Sequence, residues 1–203
     1  MRMAERCLEA GETIYARGDP DRHLYFLVEG VVKLYKTYGV YKEVIVTLLE
    51  AGNVFGEPAP RPEGVHSDFA DAASLCRVVV VDKAALEQHV RRDLRCALAL
   101  RVAYAQWVQR QQRAMERLIP RGIRPRLAVS LLELADSLGE PTEGGVAIRA
   151  HLIHQTLADM AVSSRVGVSK EMARFRREGV IAPKGKGRIV LLDEARLVEI
   201  AKS

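Results

Sequence analysis

The chain has 203 residues, 48% hydrophobic, 28% charged and only 5% aromatic, an ordinary composition for one large or two small folded domains with aliphatic cores. Its net charge of +5 is uneven: residues 1–89 carry 10 Lys+Arg against 14 Asp+Glu, residues 90–119 carry 7 against 2, and residues 120–203 carry 14 against 10. Only the basic back is therefore expected to meet a polyanion. With no apolar run near the roughly 18 residues of a membrane span, and no apolar core in MRMAERCLEAGE, a cytoplasmic chain without membrane contact is expected.

The first 82 residues read as strands and turns. Glu12–Tyr15 precedes the turn signal Arg17-Gly18-Asp19-Pro20. HLYFLVEGVVKLYKTYG is rich in β-branched and aromatic residues, KEVIVTLLEAGNVFG repeats the pattern with strand residues Val44–Leu48, and CRVVVVD at 76–82 closes the series. Short strands punctuated by Gly predict an antiparallel roll or barrel. Cys7, Cys76 and Cys96 are scattered, with no C-x-x-C pair, so neither a disulfide framework nor a metal centre is expected. No cofactor motif occurs.

From Lys83 the period becomes helical, and residues 94–119 form one long helix candidate ended by Pro120. Leu94, Leu98, Arg101, Ala105, Val108, Gln112, Met115 and Ile119 alternate in steps of four and three, a coiled-coil seam interrupted by two polar residues. Leu98, Ala105, Val108 and Met115 are its candidate dimer contacts. Packing on its own domain is the other reading. Against it, the helix would be about 39 Å long at 1.5 Å per residue, a length that in so small a protein calls for a partner. PRGIRP at 120–125 reads as a break, residues 127–138 as an amphipathic helix, PTEGG at 141–145 as a turn and residues 146–150 as a short strand. Helices near 154–161 and 164–178 follow, Gly179 fits the position just past the second, and IAPKGKGRIVLLD reads as a hairpin with a basic turn at Lys184–Arg188. Asp193 caps a last helix, EARLVEIAKS.

The most informative stretch is HQTLADMAVSSRVGVSKEMARFRREGVI, residues 154–181: helix, tight turn, helix. Leu157, Met160 and Ala161 should face inward from the first helix, and Val168, Met172 and Phe175 from the second. Ser163 or Ser164 caps the second helix, and Arg165, Val166, Ser169 and Lys170 then point outward in its first turns. A helix-turn-helix reads bases with those N-terminal residues. The Arg fork matches guanine O6 and N7, whereas Lys and Ser suit phosphates. His151 and His154, with no acid or Cys beside them, read as a surface pair. No nucleophile elbow, Walker loop or paired-carboxylate motif appears, so no enzyme is expected.

SSRVGVSKEMARFRREGVI, GDPDRHLYFLVEGVVKLYK at 18–36 and GNVFGE at 52–57 together resemble the CRP/FNR superfamily of bacterial transcription regulators, with a pattern most like its cyanobacterial global nitrogen regulators. The resemblance implies an α+β chain. An N-terminal antiparallel β-roll of the cyclic-nucleotide-binding type takes 1–93, a dimerisation helix 94–119 and a C-terminal winged helix-turn-helix 120–203. It implies a homodimer on double-stranded DNA that contacts RNA polymerase. Base reading maps to Arg165, Val166 and Lys170, and backbone contacts to Gln155, Ser164, Ser169 and Lys186. The effector pocket maps to Gly56, Glu57, Ser67, Asp68, Gln111 and Gln112, and departs from the family pattern. Ser67 and Asp68 stand where cyclic-nucleotide binders carry a phosphate-binding Arg-Ser pair, and a carboxylate there repels a phosphate. Arg61 and His66 are cations nearby. Three functions follow: a regulator needing no cAMP, a regulator gated by another effector in the β-roll, or a sensor module that binds no DNA and regulates a partner protein.

Overall fold

The computed structural model describes residues 3–38, 42–57, 64–149, 153–185 and 187–203. Two compact units emerge: Met1–Thr37 with Val46–Gln112, and Tyr38–Ile45 with Arg113–Ser203.

Eight antiparallel strands precede the first helix among the described residues: β1 (Met3–Leu8), β2 (Thr13–Tyr15), β3 (His23–Glu29), β4 (Val31–Tyr38), β5 (Lys42–Glu50), β6 (Val54–Phe55), β7 (Phe69–Ala72) and β8 (Cys76–Asp82); all lie in the first unit except Tyr38 of β4 and Lys42–Ile45 of β5. They form two sheets, β1-β8-β3-β6 and β2-β7-β4-β5. Register places Leu24 opposite Val81 and Leu27 opposite Val78 in one, and Val32 opposite Ala72 and Leu34 opposite Ala70 in the other; all eight side chains are buried. The strand period of two thus puts one face of each sheet into a common core. Helix α1 (Lys83–Val90) starts at Asp82, whose carboxylate accepts from the Ala85 N–H at 2.8 Å. Its Leu86 packs with Leu24 and Val81, and Cys96 and Leu100 of helix α2 close the cluster.

α2 spans Leu94–Glu116 and buries none of its residues within the chain. It stops three residues short of the expected Ile119. Arg117 is drawn inward, 2% exposed, to pair with Glu133 at 2.6 Å and to donate to the Ile45 carbonyl at 2.7 Å. The chain then tightens into turns, with Leu118 and Ile119 donating three residues back to Met115 and Glu116.

The second unit holds α3 (Ile123–Leu138), β9 (Gly139–Thr142), β10 (Gly145–Ile148), α4 (His154–Met160), α5 (Arg165–Arg177), β11 (Ile181–Pro183), β12 (Ile189–Leu191) and α6 (Glu194–Ala201). The strands form one antiparallel sheet, β11-β12-β10-β9. Leu127, Leu131, Leu134 and Leu138 form the buried stripe of α3, against which α4, α5 and α6 pack. Two expectations are corrected. The 120–125 break is shorter, because α3 begins at Ile123 and runs through Pro125, whose missing N–H would have no partner in a first turn anyway. The turn assigned to 141–145 contains the end of β9; Pro141 is tolerated because β9 is an edge strand. The last helix also ends two residues early, at Ala201.

Candidate nucleic-acid interface

α4 and α5 pack through a shared apolar core: Leu157, Met160 and Ala161 from one side, Val168, Met172 and Phe175 from the other, all buried as their spacing required. The turn between them carries Val162 at φ 48°, a left-handed conformation that a β-branched residue adopts only under strain. Ser164 is the capping residue: its hydroxyl accepts from the Gly167 N–H at 3.1 Å. Gly167 packs closely on α3: a Cβ there would lie 2.6 Å from the end of the Ile123 side chain, which would have to shift. At the other end Gly179 takes φ 71°, with its N–H donating to Arg176 and the Val180 N–H to Phe175. That is a Schellman closure. Both ends of α5 are therefore fixed by short-range chemistry, which holds its outer face rigid.

That face carries Arg165, Val166 and Lys170, all exposed, Val166 at 65%. Its cations divide into two groups. Arg174 pairs with Glu178 at 2.9 Å, and Arg124, reaching across from α3, bridges Glu178 at 2.5 Å and Glu171 at 3.3 Å. Arg165, Lys170, Arg176 and Arg177 pair with no carboxylate among the described residues. The uncompensated charge thus lies on the face that the sequence assigns to DNA. Gln155 is exposed and spends its amide on Asp159 at 2.8 Å. Ser169 is half-buried, and its hydroxyl lies 2.7 Å from His154 Nδ1. His154 is thus no mere surface histidine, and its importance was missed because its partner stands 15 residues away. Burial, then Arg176 and Arg165, hold its imidazole below the usual range. Lys186 and His151 lie outside the described residues. The hairpin expected after α5 is present as β11 and β12, closed by Lys184 donating to the Arg188 carbonyl at 2.9 Å.

The candidate effector positions of the β-roll are mostly turned inward. Glu57 is 4% exposed and accepts from the Ser67 hydroxyl at 2.9 Å. Asp68 is 6% exposed and accepts from the Tyr15 hydroxyl at 3.2 Å. Burial pushes the Asp68 carboxyl up to about 6, and Tyr15 rises as well, through its own burial and the Asp68 charge. Gly56 is buried beside them, at φ 83°. His66 is fully buried, stacked on Tyr15 with ring centroids 3.7 Å apart, and its Nδ1 lies 3.6 Å from the Asp21 carboxylate, which is ion-paired with Lys83. Neither ring nitrogen of His66 has a hydrogen-bond partner among the described residues, and burial holds the imidazole below the usual range. On α2, Gln111 is half-buried and Gln112 exposed, while neighbouring Arg110 donates to the Val54 carbonyl at 2.9 Å. Arg61 lies outside the described residues.

Residues 5–93 match the family model of the cyclic nucleotide-binding domain, and residues 125–200 that of the Crp-like helix-turn-helix domain. The transcriptional regulator LdrP of Thermus thermophilus is 32% identical over 193 residues, covering 95% of this chain and 94% of that one. The global nitrogen regulator of Synechococcus elongatus is 31% identical over 182 residues, 86% of this chain and 79% of the relative. A solved CRP-family transcriptional regulator from T. thermophilus is 30% identical, with a TM-score of 0.80 over 98% of this chain and 97% of that one. No helix among the described residues is long and apolar enough to cross a membrane. The chain therefore belongs to the CRP/FNR family: it is a DNA-binding transcription regulator and not an enzyme.

Proposed function

We propose that the chain acts as a homodimer on an inverted-repeat operator, contacts RNA polymerase there, and binds its operator without cAMP. Residues 1–93 serve as a sensor-like roll, 94–119 as the dimerisation segment and 120–203 as the DNA-binding domain. The observation that carries the reading is the outer face of α5, where Arg165, Val166 and Lys170 stand exposed and neither cation pairs with a carboxylate among the described residues. Arg165 and Lys170 supply base and backbone contacts, and Val166 supplies an apolar surface for a thymine methyl. Dimerisation is supported by α2: Leu98, Ala105 and Met115 of its seam are exposed in the single chain, and Val108 is half-buried. An isologous pairing about a two-fold axis covers such a stripe on both copies at once.

Independence from cAMP is supported by Ser67 and Asp68, which stand at the phosphate-binding positions and are engaged by Glu57 and Tyr15 instead. The match of residues 5–93 to a cyclic nucleotide-binding domain favours a second reading, in which another effector gates the roll. The deciding experiment compares operator affinity with and without millimolar cAMP. Equal affinities are expected, and a tenfold gain, about 1.4 kcal/mol of coupling, would overturn cAMP independence.

A further inference from the structure

A cavity of about 340 Å³ lies between the start of α4, the outer side of α5 and the β11–β12 hairpin, lined by His154, Arg176, Pro183, Arg188 and Ile189 among others. Among the described residues three nitrogen-bearing side chains converge on it, and none of those lining it is a carboxylate. The guanidinium groups of Arg176 and Arg188 have no hydrogen-bond or ion-pair partner among the described residues. By contrast, nearby Arg124, Arg174 and Arg196 are all paired with glutamates. His154 spends Nδ1 on the Ser169 hydroxyl, which leaves Nε2 unpartnered among the described residues. A small, partly apolar recess with two idle guanidinium groups and one idle imidazole nitrogen is suited to one tetrahedral oxyanion.

We propose that this cavity seats one backbone phosphate of the bound duplex, held by Arg176 and Arg188, and that His154 takes a proton from solvent to become its third donor. The proposal rests on the DNA-binding reading above and adds a coupling between operator binding and pH. The groups facing His154 explain the coupling. Arg165 and Arg176 from α5, Arg188 beside the hairpin, and the uncharged Ser169 hydroxyl surround the imidazole. In the free protein burial disfavours its charged form, and Arg176 and Arg165 disfavour it further. A phosphate among them offsets part of that positive charge and gives Nε2–H a charged acceptor, so protonation of the imidazole becomes more favourable than in the free protein. Binding then takes up a proton, and operator affinity rises as pH falls.

The test uses the full chain and a duplex carrying the inverted repeat that the protein itself selects, with affinity measured by fluorescence anisotropy. Wild type should bind about tenfold or more tighter at about pH 6 than at about pH 8. His154→Gln should bind with the same affinity at both, and Arg176→Gln or Arg188→Gln should each flatten the salt slope by about one. A single methylphosphonate at the seated position should abolish the pH dependence of wild type and leave His154→Gln unaffected. Inorganic phosphate titrated into the free protein should raise the pKa of the His154 ring, read by NMR. That arm needs no DNA, so it tests the seat even if no duplex binds. The proposal is overturned if His154→Gln keeps the wild-type pH dependence. It is also overturned if inorganic phosphate shifts His154 but no methylphosphonate position matters, since the seat would then serve a free anion.

Discussion

At the scale of single residues, Val166 is, in the proposed reading, the residue that sets the operator's base preference. Members of this family often carry Glu at its position, and a carboxylate accepts a hydrogen bond from cytosine N4. Val accepts none, but its methyl groups pack on a thymine methyl. With 65% of Val166 exposed on a helix fixed at both ends, its side chain is available for that contact. An inverted repeat is therefore expected whose half-sites keep the outer G, taken by Arg165, and read an A·T pair opposite Val166; the GTA-like half-site that the resemblance to the nitrogen regulators implies fits this pattern. Val166→Glu should move the preference from A·T towards G·C at that position. Arg165→Ala should cost about 1–3 kcal/mol and relax the preference at the G. Binding competitions across the four base pairs at each position check both, and an unchanged profile for Val166→Glu would remove Val166 from base reading.

At the scale of elements, the turn between α4 and α5 and the interior of the β-roll each store a cost. Val162 at φ 48° holds a conformation that glycine adopts freely. Val162→Gly should stabilise the second unit by about 1 kcal/mol, read as a higher urea midpoint, with the outer face of α5 unaltered. In the roll, the folded pKa of Asp68 is raised from 3.8 to about 6. The neutral acid's contribution is therefore complete below the unfolded value and lost as pH rises through about 6. The ionised form at neutral pH costs about 3 kcal/mol at most. Asp68→Asn keeps an acceptor for the Tyr15 hydroxyl and removes the charge. It should be more stable than wild type at about pH 8 and equal to it at about pH 4 in denaturation curves. A gain independent of pH would mean that the Asp68 charge is not its source.

The elements that the sequence displayed clearly are those whose signals are local. α5 announces itself by Val168, Met172 and Phe175 on one face, a Ser cap before it and Gly179 after it. β1 gave no such signal, because only Leu8 of its six residues is buried; it exists through pairing with β8, some seventy residues away. β9 was hidden by Pro141, and the start of α3 by Pro125, each legal in its particular place. In the candidate site, the outward residues of α5 were legible from helical periodicity. The His154–Ser169 contact and the Arg176–Arg188 recess were not, since they depend on how a hairpin folds against a helix. Nor was the inward engagement of Glu57, Ser67 and Asp68, which joins residues of separate strands and loops.

At the scale of the whole molecule, family membership and geometry converge on one use of a basic chain whose front is acidic. The excess of positive charge falls in the long helix and the DNA-binding unit. A two-fold dimer, as proposed, carries two copies of α5. Half-site centres should then lie about 10–10.5 bp apart, one helical turn. The most direct measurement is selection of bound fragments from genomic DNA by the full-length protein with no cAMP present. The expected result is enrichment of an inverted repeat with GTA-like half-sites at that spacing. Enrichment of lone half-sites, or none until cAMP is added, would contradict it.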